Sequence, residues 1–115
     1  MATAEKLHDR AAQDLGILRL NATLQAQDAT RMEEAYEEVY ASLKKEGIAT
    51  WAYDGDVPAE VVPHVAALMA ENCLNTYSVS DKRYVRITRS ASKAKREIRA
   101  EVQDEYVSQD DPKDY

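Results

Sequence analysis

Five cations recur at helical spacing between residues 82 and 96. At about 100° per residue they line one side of a helix. This basic stripe consists of Lys82, Arg86, Arg89, Lys93 and Arg96. Guanidinium and ammonium groups in such a row can bind carboxylates or phosphates through charge-assisted hydrogen bonds. The row faces water, an acidic protein surface or nucleic acid, and the choice among these three decides most of the function.

A cluster of opposite charge lies in an earlier helical stretch. This acidic ridge consists of Glu33, Glu34, Glu37 and Glu38. Like charges four residues apart each cost roughly a few tenths of a kcal/mol in an isolated helix, so the ridge indicates a basic partner. One available partner is the basic stripe of a second copy. Head-to-tail contacts of that kind close into rings when the rotation permits.

The residues that most often carry catalysis or bind metals are few. Cys73 is the one cysteine, so an internal disulfide is excluded and cytosolic synthesis is favoured. With only His8 and His64 beside it, no zinc site is expected. We expect Cys73 to be a small core residue, and both histidines to lie on the surface or at the core edge.

No motif for an enzyme or a cofactor is present. The sequence contains no nucleotide loop, nucleophile elbow or HExxH pattern. The acidic pair Asp110 and Asp111 falls in a segment predicted to be flexible, which cannot supply the fixed geometry of paired-carboxylate catalysis. We therefore expect no catalytic residue, no metal and no cofactor. An unrecognised enzyme is kept as a third alternative.

The composition indicates helices. A chain of 115 residues makes one domain, and the absence of Phe together with three Gly and three Pro favours helices with short connections. We predict an all-α fold, a small bundle of about four helices with an extended C-terminal tail. No apolar run is long enough for a membrane span and no signal peptide is evident, so a soluble, unprocessed protein is expected.

Periodicity and breakers place the four helices. The first is predicted over 3–15 with Thr3 as a possible cap, and Gly16 ends it. The second is predicted from about Gln27 to Glu46 and ends at Gly47. The third begins near Pro58 and is kinked or restarted at Pro63. The last runs from Ser80 to about Val107, and its predicted buried face is Tyr84, Ile87, Ala91, Ala94, Ile98 and Val102.

The main irregular segment contains two aromatic residues. Trp51 and Tyr53 lie in the sequence IATWAYDGD, which includes an Asp-Gly turn signal. The favoured interpretation is that Trp51 covers an edge of the core. The alternative is that Trp51 and Tyr53 anchor a contact between subunits, a role in which both residue types are enriched.

Charge is distributed in blocks. The net charge of −6 divides into −7 over residues 1–80, +6 over 81–99 and −5 over 100–115. We predict a helical-bundle domain over residues 1–103 and a flexible acidic tail over 104–115.

The order of these parts resembles the head-to-tail connector, or adaptor, proteins of tailed bacteriophages. The resemblance covers roughly residues 5–102. Its segments are Asp-Leu-Gly-Ile-Leu (14–18), Leu-Lys-Lys-Glu-Gly-Ile (43–48), the aromatic stretch at 51–53, the Pro-led helix at 57–74 closing in Asn-Thr-Tyr-Ser-Val (75–79), and Ala-Lys-Arg-Glu-Ile-Arg (94–99).

The resemblance implies a structural virion protein at the head-tail junction, made in the host bacterial cytoplasm. Its subunits would form a ring, usually of twelve copies, beneath the portal protein and above the tail or neck proteins. Double-stranded DNA would cross the ring without sequence-specific contacts. The C-terminal segment would dock on the portal through Asp104, Tyr106, Val107, Asp110, Asp111 and Tyr115.

The runner-up function is a small helical regulator that binds nucleic acid through the basic stripe. Contacts to duplex phosphates would release counterions and add affinity that does not depend on sequence. The net acidic chain and the lack of a compact pair of short helices count against a helix-turn-helix. No aromatic residue interleaves with the cations, so stacking on single strands is not expected.

Overall fold

The computed structural model describes residues 4–19 and 22–110, with side chains described from 6 to 19 and from 22 to 102. Within these residues the chain forms four α-helices, one short 3-10 helix and no strand. The helices are α1 Ala4–Leu15, α2 Ala26–Lys45, α3 Val62–Asn72 and α4 Asp81–Asp110, with the 3-10 turn Ala59–Val61 leading into α3. The all-α, four-helix prediction is confirmed.

Glycine ends α1 and α2 as the sequence predicts. Gly16 has φ +84° and Gly47 has φ +74°, the left-handed conformation that lets the chain leave a helix. After Gly47 the chain turns back, and the Ile48 N–H donates to the Leu43 carbonyl at 2.8 Å. The buried Ile48 side chain thereby closes the end of α2.

Two prolines set the start of α3. Pro58 precedes the 3-10 turn, and Pro63 lies in the first turn of α3, where its missing N–H interrupts no helical hydrogen bond. The predicted restart at Pro63 is therefore present. α3 is the central helix, since it packs against α1, α2 and α4.

The core forms where the apolar faces of the helices meet. Met32, Ala35, Tyr36, Val39 and Leu43 share one face of α2 and are all buried. In α4 the predicted face is buried at Ile87, Ala91, Ala94 and Ile98 and half-buried at Val102. α1 contributes Leu7, Ala11 and Leu15.

The prediction that Tyr84 belongs to the buried face was wrong. Its side chain is 51% exposed, and the first buried residue of α4 is Ile87. The half-buried side chain in the first turn of α4 is instead Arg83, which lies against the end of α1. Ser80 caps this helix, because its hydroxyl accepts the Arg83 N–H at 3.2 Å.

The helical backbone of α4 continues to Asp110, eight residues past Val102. The tail predicted over 104–115 therefore begins as helix, while 111–115 lie outside the described residues, as do Thr3 and Leu20. Among the described helices, none has both the length and the apolar character needed to span a bilayer.

Candidate functional site

The basic stripe is exposed along its whole length. All five cations point away from the core, and they cover roughly 21 Å of α4 at 1.5 Å per residue. None of the five side chains makes a hydrogen bond or ion pair with the described part of the chain. The stripe is therefore available to an external anion.

Two other cations of α4 are used inside the molecule. Arg83 Nη1 donates to the Asp14 carbonyl at 3.0 Å and reaches the Gln13 carbonyl at 3.5 Å. Lys95 Nζ donates to Glu46 Oε2 at 2.5 Å and to Ser42 Oγ at 3.2 Å. Both contacts place a cation at the C-terminal end of another helix, where the helix dipole favours positive charge.

The acidic ridge is also exposed, but two of its four carboxylates bind within the subunit. Tyr53 OH donates to Glu33 Oε2 at 3.1 Å, and Asn72 Nδ2 donates to Glu38 Oε1 at 2.7 Å. Glu34 and Glu37 make no hydrogen bond or ion pair with other described residues. These two are the ridge residues best placed to meet a partner.

The stripe and the ridge lie on helices that have little direct contact. α2 and α4 both pack on α3, with at most a marginal contact between them. Lys95 and Glu46 link the two helices at the end of α2. The exposed charges of the two surfaces are therefore not neutralised by each other within one subunit.

Trp51 lies at an edge of the core, as favoured by the sequence. It is 7% exposed, and its Nε1 donates to Tyr36 OH at 3.1 Å. Its own carbonyl accepts from Tyr40 OH at 2.6 Å, and Tyr53 stacks on Tyr36 with ring centroids 5.3 Å apart. Burial raises the pKa of the Tyr36 hydroxyl. The irregular segment is thus fastened to α2 by aromatic contacts.

A surface groove of about 550 Å³ adjoins these aromatic residues. Tyr40 and Tyr53 line it together with Ala41, and Lys44 and Lys45 flank it. Tyr53 is only half-buried, so it keeps a surface on which another protein can pack. The alternative of a subunit contact at this segment therefore concerns Tyr53 more than Trp51.

A cavity of about 370 Å³ between α1, α3 and α4 was not anticipated from the sequence. Arg10, Arg83 and Arg86 line it, with His64 and Asp14. Burial raises the pKa of the Asp14 carboxyl, although the three arginines act in the opposite direction. The one local signal was the i, i+4 pairing of Arg10 with Asp14, because α4 is more than 60 residues away in sequence.

The remaining candidates fit structural roles. Cys73 is buried at the end of α3, and burial raises the pKa of its thiol, which makes it less reactive. His8 is buried in α1 with Nε2 3.9 Å from Glu33 Oε1, and His64 is half-buried. In the described region, no group of three or more His, Cys, Asp or Glu residues could hold a metal ion.

The predicted portal-docking residues fall in two parts. Asp104, Tyr106, Val107 and Asp110 belong to the helical backbone of α4. Asp111 and Tyr115 lie outside the described residues. Docking through this segment stays a prediction.

Comparison of the chain with protein-family models, curated proteins and solved structures found no match. The resemblance to the phage adaptors rests on the order and spacing of the segments quoted from the sequence.

Proposed function

We propose that this protein is a ring-forming subunit of a phage particle, an adaptor that joins the portal to the tail and passes double-stranded DNA. The observation that carries the proposal is that two exposed surfaces of opposite charge lie on different helices of one subunit. Neither surface finds its complement within that subunit. A second copy offers the complement to both.

A head-to-tail contact between copies uses the two surfaces together, since the stripe of one subunit meets Glu34 and Glu37 of the next. An open row of subunits has an unused stripe at one end and an unused ridge at the other, and closing the ring joins them. Electrostatic complementarity of this kind fixes orientation and accelerates encounter. A helical bundle is also the kind of subunit that the resemblance to the phage adaptors implies.

The proposal is tested by reversing each surface separately. One variant carries Arg89→Glu and Lys93→Glu, which place like charges opposite Glu34 and Glu37 of the next copy. The other carries Glu34→Lys and Glu37→Lys, which place like charges opposite Arg89 and Lys93 of the next copy. The four side chains are exposed and make no hydrogen bond with other described residues, so each variant should fold.

Native mass spectrometry, with and without portal protein, measures the size of the oligomers that each variant forms. We expect ring-sized oligomers from the unaltered chain, monomers from either variant alone, and rings again when the two variants are mixed. In the mixture the two variants alternate, and positions 34 and 37 of one subunit then carry the charge opposite to positions 89 and 93 of its neighbour at every interface. The control substitution Arg19→Glu, at an exposed cation outside the stripe, the ridge and the Tyr53 groove, should leave assembly unchanged. A protein that stays monomeric in all mixtures and ignores the portal contradicts the proposal.

The runner-up, a nucleic-acid-binding regulator, is favoured by the same unpaired cations over roughly 21 Å of helix. It predicts that the isolated subunit binds duplex DNA with an affinity that falls steeply as salt rises. The Arg89→Glu and Lys93→Glu variant would lose that affinity, and the Glu34→Lys and Glu37→Lys variant would bind more tightly. A monomer with this behaviour supports the regulator over the adaptor.

A further inference from the structure

We propose that the cavity between α1, α3 and α4 is a binding site for a phosphate group. This phosphate site goes beyond the proposed function, because it lies within one subunit and requires neither a ring nor a portal. Three arginines from two helices converge on it, namely Arg10 of α1 and Arg83 and Arg86 of α4.

Fixed contacts orient two of the three guanidinium groups. Arg83 Nη1 donates to the carbonyls at the end of α1, so the other N–H groups of this guanidinium can donate to a ligand. Arg10 uses Nε for Asp14 Oδ1 at 3.4 Å, which leaves its two terminal nitrogens. Arg86 is exposed at the rim and makes no hydrogen bond with other described residues.

The charge balance of the cavity favours an anion. Asp14 contributes one carboxylate, and Arg10 pairs with it. Arg83 and Arg86 then leave an excess of two positive charges at the cavity. A doubly charged phosphate matches this excess, and arginine forks match the geometry of phosphate oxygens.

Two neighbouring polar groups complete a donor set. His64, in the first turn of α3, and Ser90 of α4 also line the cavity. A carboxylate has two oxygens, which a single arginine can satisfy bidentately. Donors arriving from three helices suit the tetrahedral oxygens of phosphate better. The floor is formed by small side chains, Ala67 and Ala70, which keep the cavity open to a group of that size.

The chain offers a matched pair of variants for the test. Arg86→Gln removes a cavity arginine, and Arg89→Gln removes another exposed arginine of the same stripe that does not line the cavity. Both variants remove one positive charge from α4. If phosphate binds only through the general charge of the helix, its affinity should fall equally in the two variants. A defined site weakens only in Arg86→Gln. Ser90→Ala is a second cavity variant without a change of charge.

The measurement is titration of the full chain with inorganic phosphate at constant ionic strength, followed by amide NMR shifts and calorimetry. We expect shifts confined to the three helix segments around the cavity, and a loss of affinity of about tenfold in Arg86→Gln, typical of a hydrogen bond to a charged group. Arg89→Gln should bind as the unaltered chain does. Equal weakening in both arginine variants, or no shifts beyond those in a chloride titration, overturns the proposal.

Two further titrations distinguish a small phosphorylated compound from nucleic acid as the source of the phosphate. A sugar phosphate that competes with inorganic phosphate identifies a small phosphorylated compound. A short DNA duplex that perturbs the same amides in an Arg86-dependent way identifies the phosphodiester backbone. Either result supports the site, whatever the oligomeric state of the protein.

Discussion

Arg83 Nη1 donates to the backbone carbonyl of Asp14 at 3.0 Å, joining the first turn of α4 to the last turn of α1. The last four carbonyls of a helix have no partner within it, and a cation there also stabilises the helix dipole. The contact depends on Gly16, because a Cβ at that position would lie 2.9 Å from Arg83 Cζ. Gly16 thus ends α1 and also leaves room for the side chain that caps it.

We predict that Gly16→Ala is more destabilising than Gly47→Ala. Both glycines have a positive φ, so either alanine adopts the left-handed conformation at a cost of about 1–2 kcal/mol. At Gly47 a Cβ would meet no atom within 4 Å, whereas at Gly16 it displaces the Arg83 guanidinium. Weakening that charged hydrogen bond adds up to about 1.5 kcal/mol to the free-energy cost, because the flexible arginine side chain can shift in part. Urea unfolding of the two variants measures the difference.

The control for this prediction is the Arg83→Met background. There the guanidinium is absent, so Gly16→Ala should cost no more than Gly47→Ala, and the double-mutant cycle should show strong coupling. Equal costs in the unaltered background would contradict the prediction and mean that the contact of Arg83 with the end of α1 contributes nothing that an alanine at position 16 removes.

The helices and their buried faces could be predicted because their signals are local. Gly16 and Gly47 mark helix ends, and the period of 3.6 in α2 selects Met32, Tyr36 and Leu43 for the core. These signals operate over a few residues and require no knowledge of where other helices lie.

The sequence could not show which cations of α4 bind groups of other helices and which remain unpaired. Arg83 and Lys95 border the buried face of α4 on the helical wheel, one on each side, and their partners lie 69 and 49 residues away in sequence. The wheel places these two closer to the core than the stripe, but only tertiary packing decides which groups of other helices they reach. The cavity lined by Arg10, Arg83 and Arg86 was missed for the same reason.

We predict that Tyr77 ionises at a higher pH than an ordinary tyrosine. Burial is the largest cause, and together with donation of its hydroxyl to Asp28 Oδ1 at 2.8 Å it raises the pKa of Tyr77 to about 12. Because the folded state holds this proton more tightly, the stabilisation is complete below pH 10 and is lost as the pH rises toward 12. An absorbance titration of tyrosinate should contain a late step that disappears in Tyr77→Phe.

Two substitutions check this assignment. Tyr84→Phe, at an exposed position of α4, should leave the step at about pH 12 in place. Asp28→Asn should lower the pKa of Tyr77 only in part, because burial is the larger cause of the shift. A late step that survives in Tyr77→Phe would place the unusual tyrosine elsewhere.

We predict that Glu46 has a pKa below its usual value of 4.5, chiefly because Lys95 donates a hydrogen bond to its carboxylate. A lowered pKa means that the stabilisation is present above pH 4.5 and is lost as the pH falls through the pKa of the folded state. Carboxyl NMR titration of Glu46 in Lys95→Met should show the pKa returning toward 4.5. Because the pair is at the surface, the accompanying change in overall stability should be small.

The matched control is Lys93→Met, which removes a lysine of the basic stripe two residues away. Lys93 is exposed and makes no hydrogen bond with Glu46, so this substitution should leave the Glu46 pKa unchanged. Equal shifts in the two variants would mean that Glu46 senses the whole helix and not one lysine. The cations of α4 would then not divide into an inward pair and an outward stripe, and the reversal of Arg89 and Lys93 would no longer test an external surface alone.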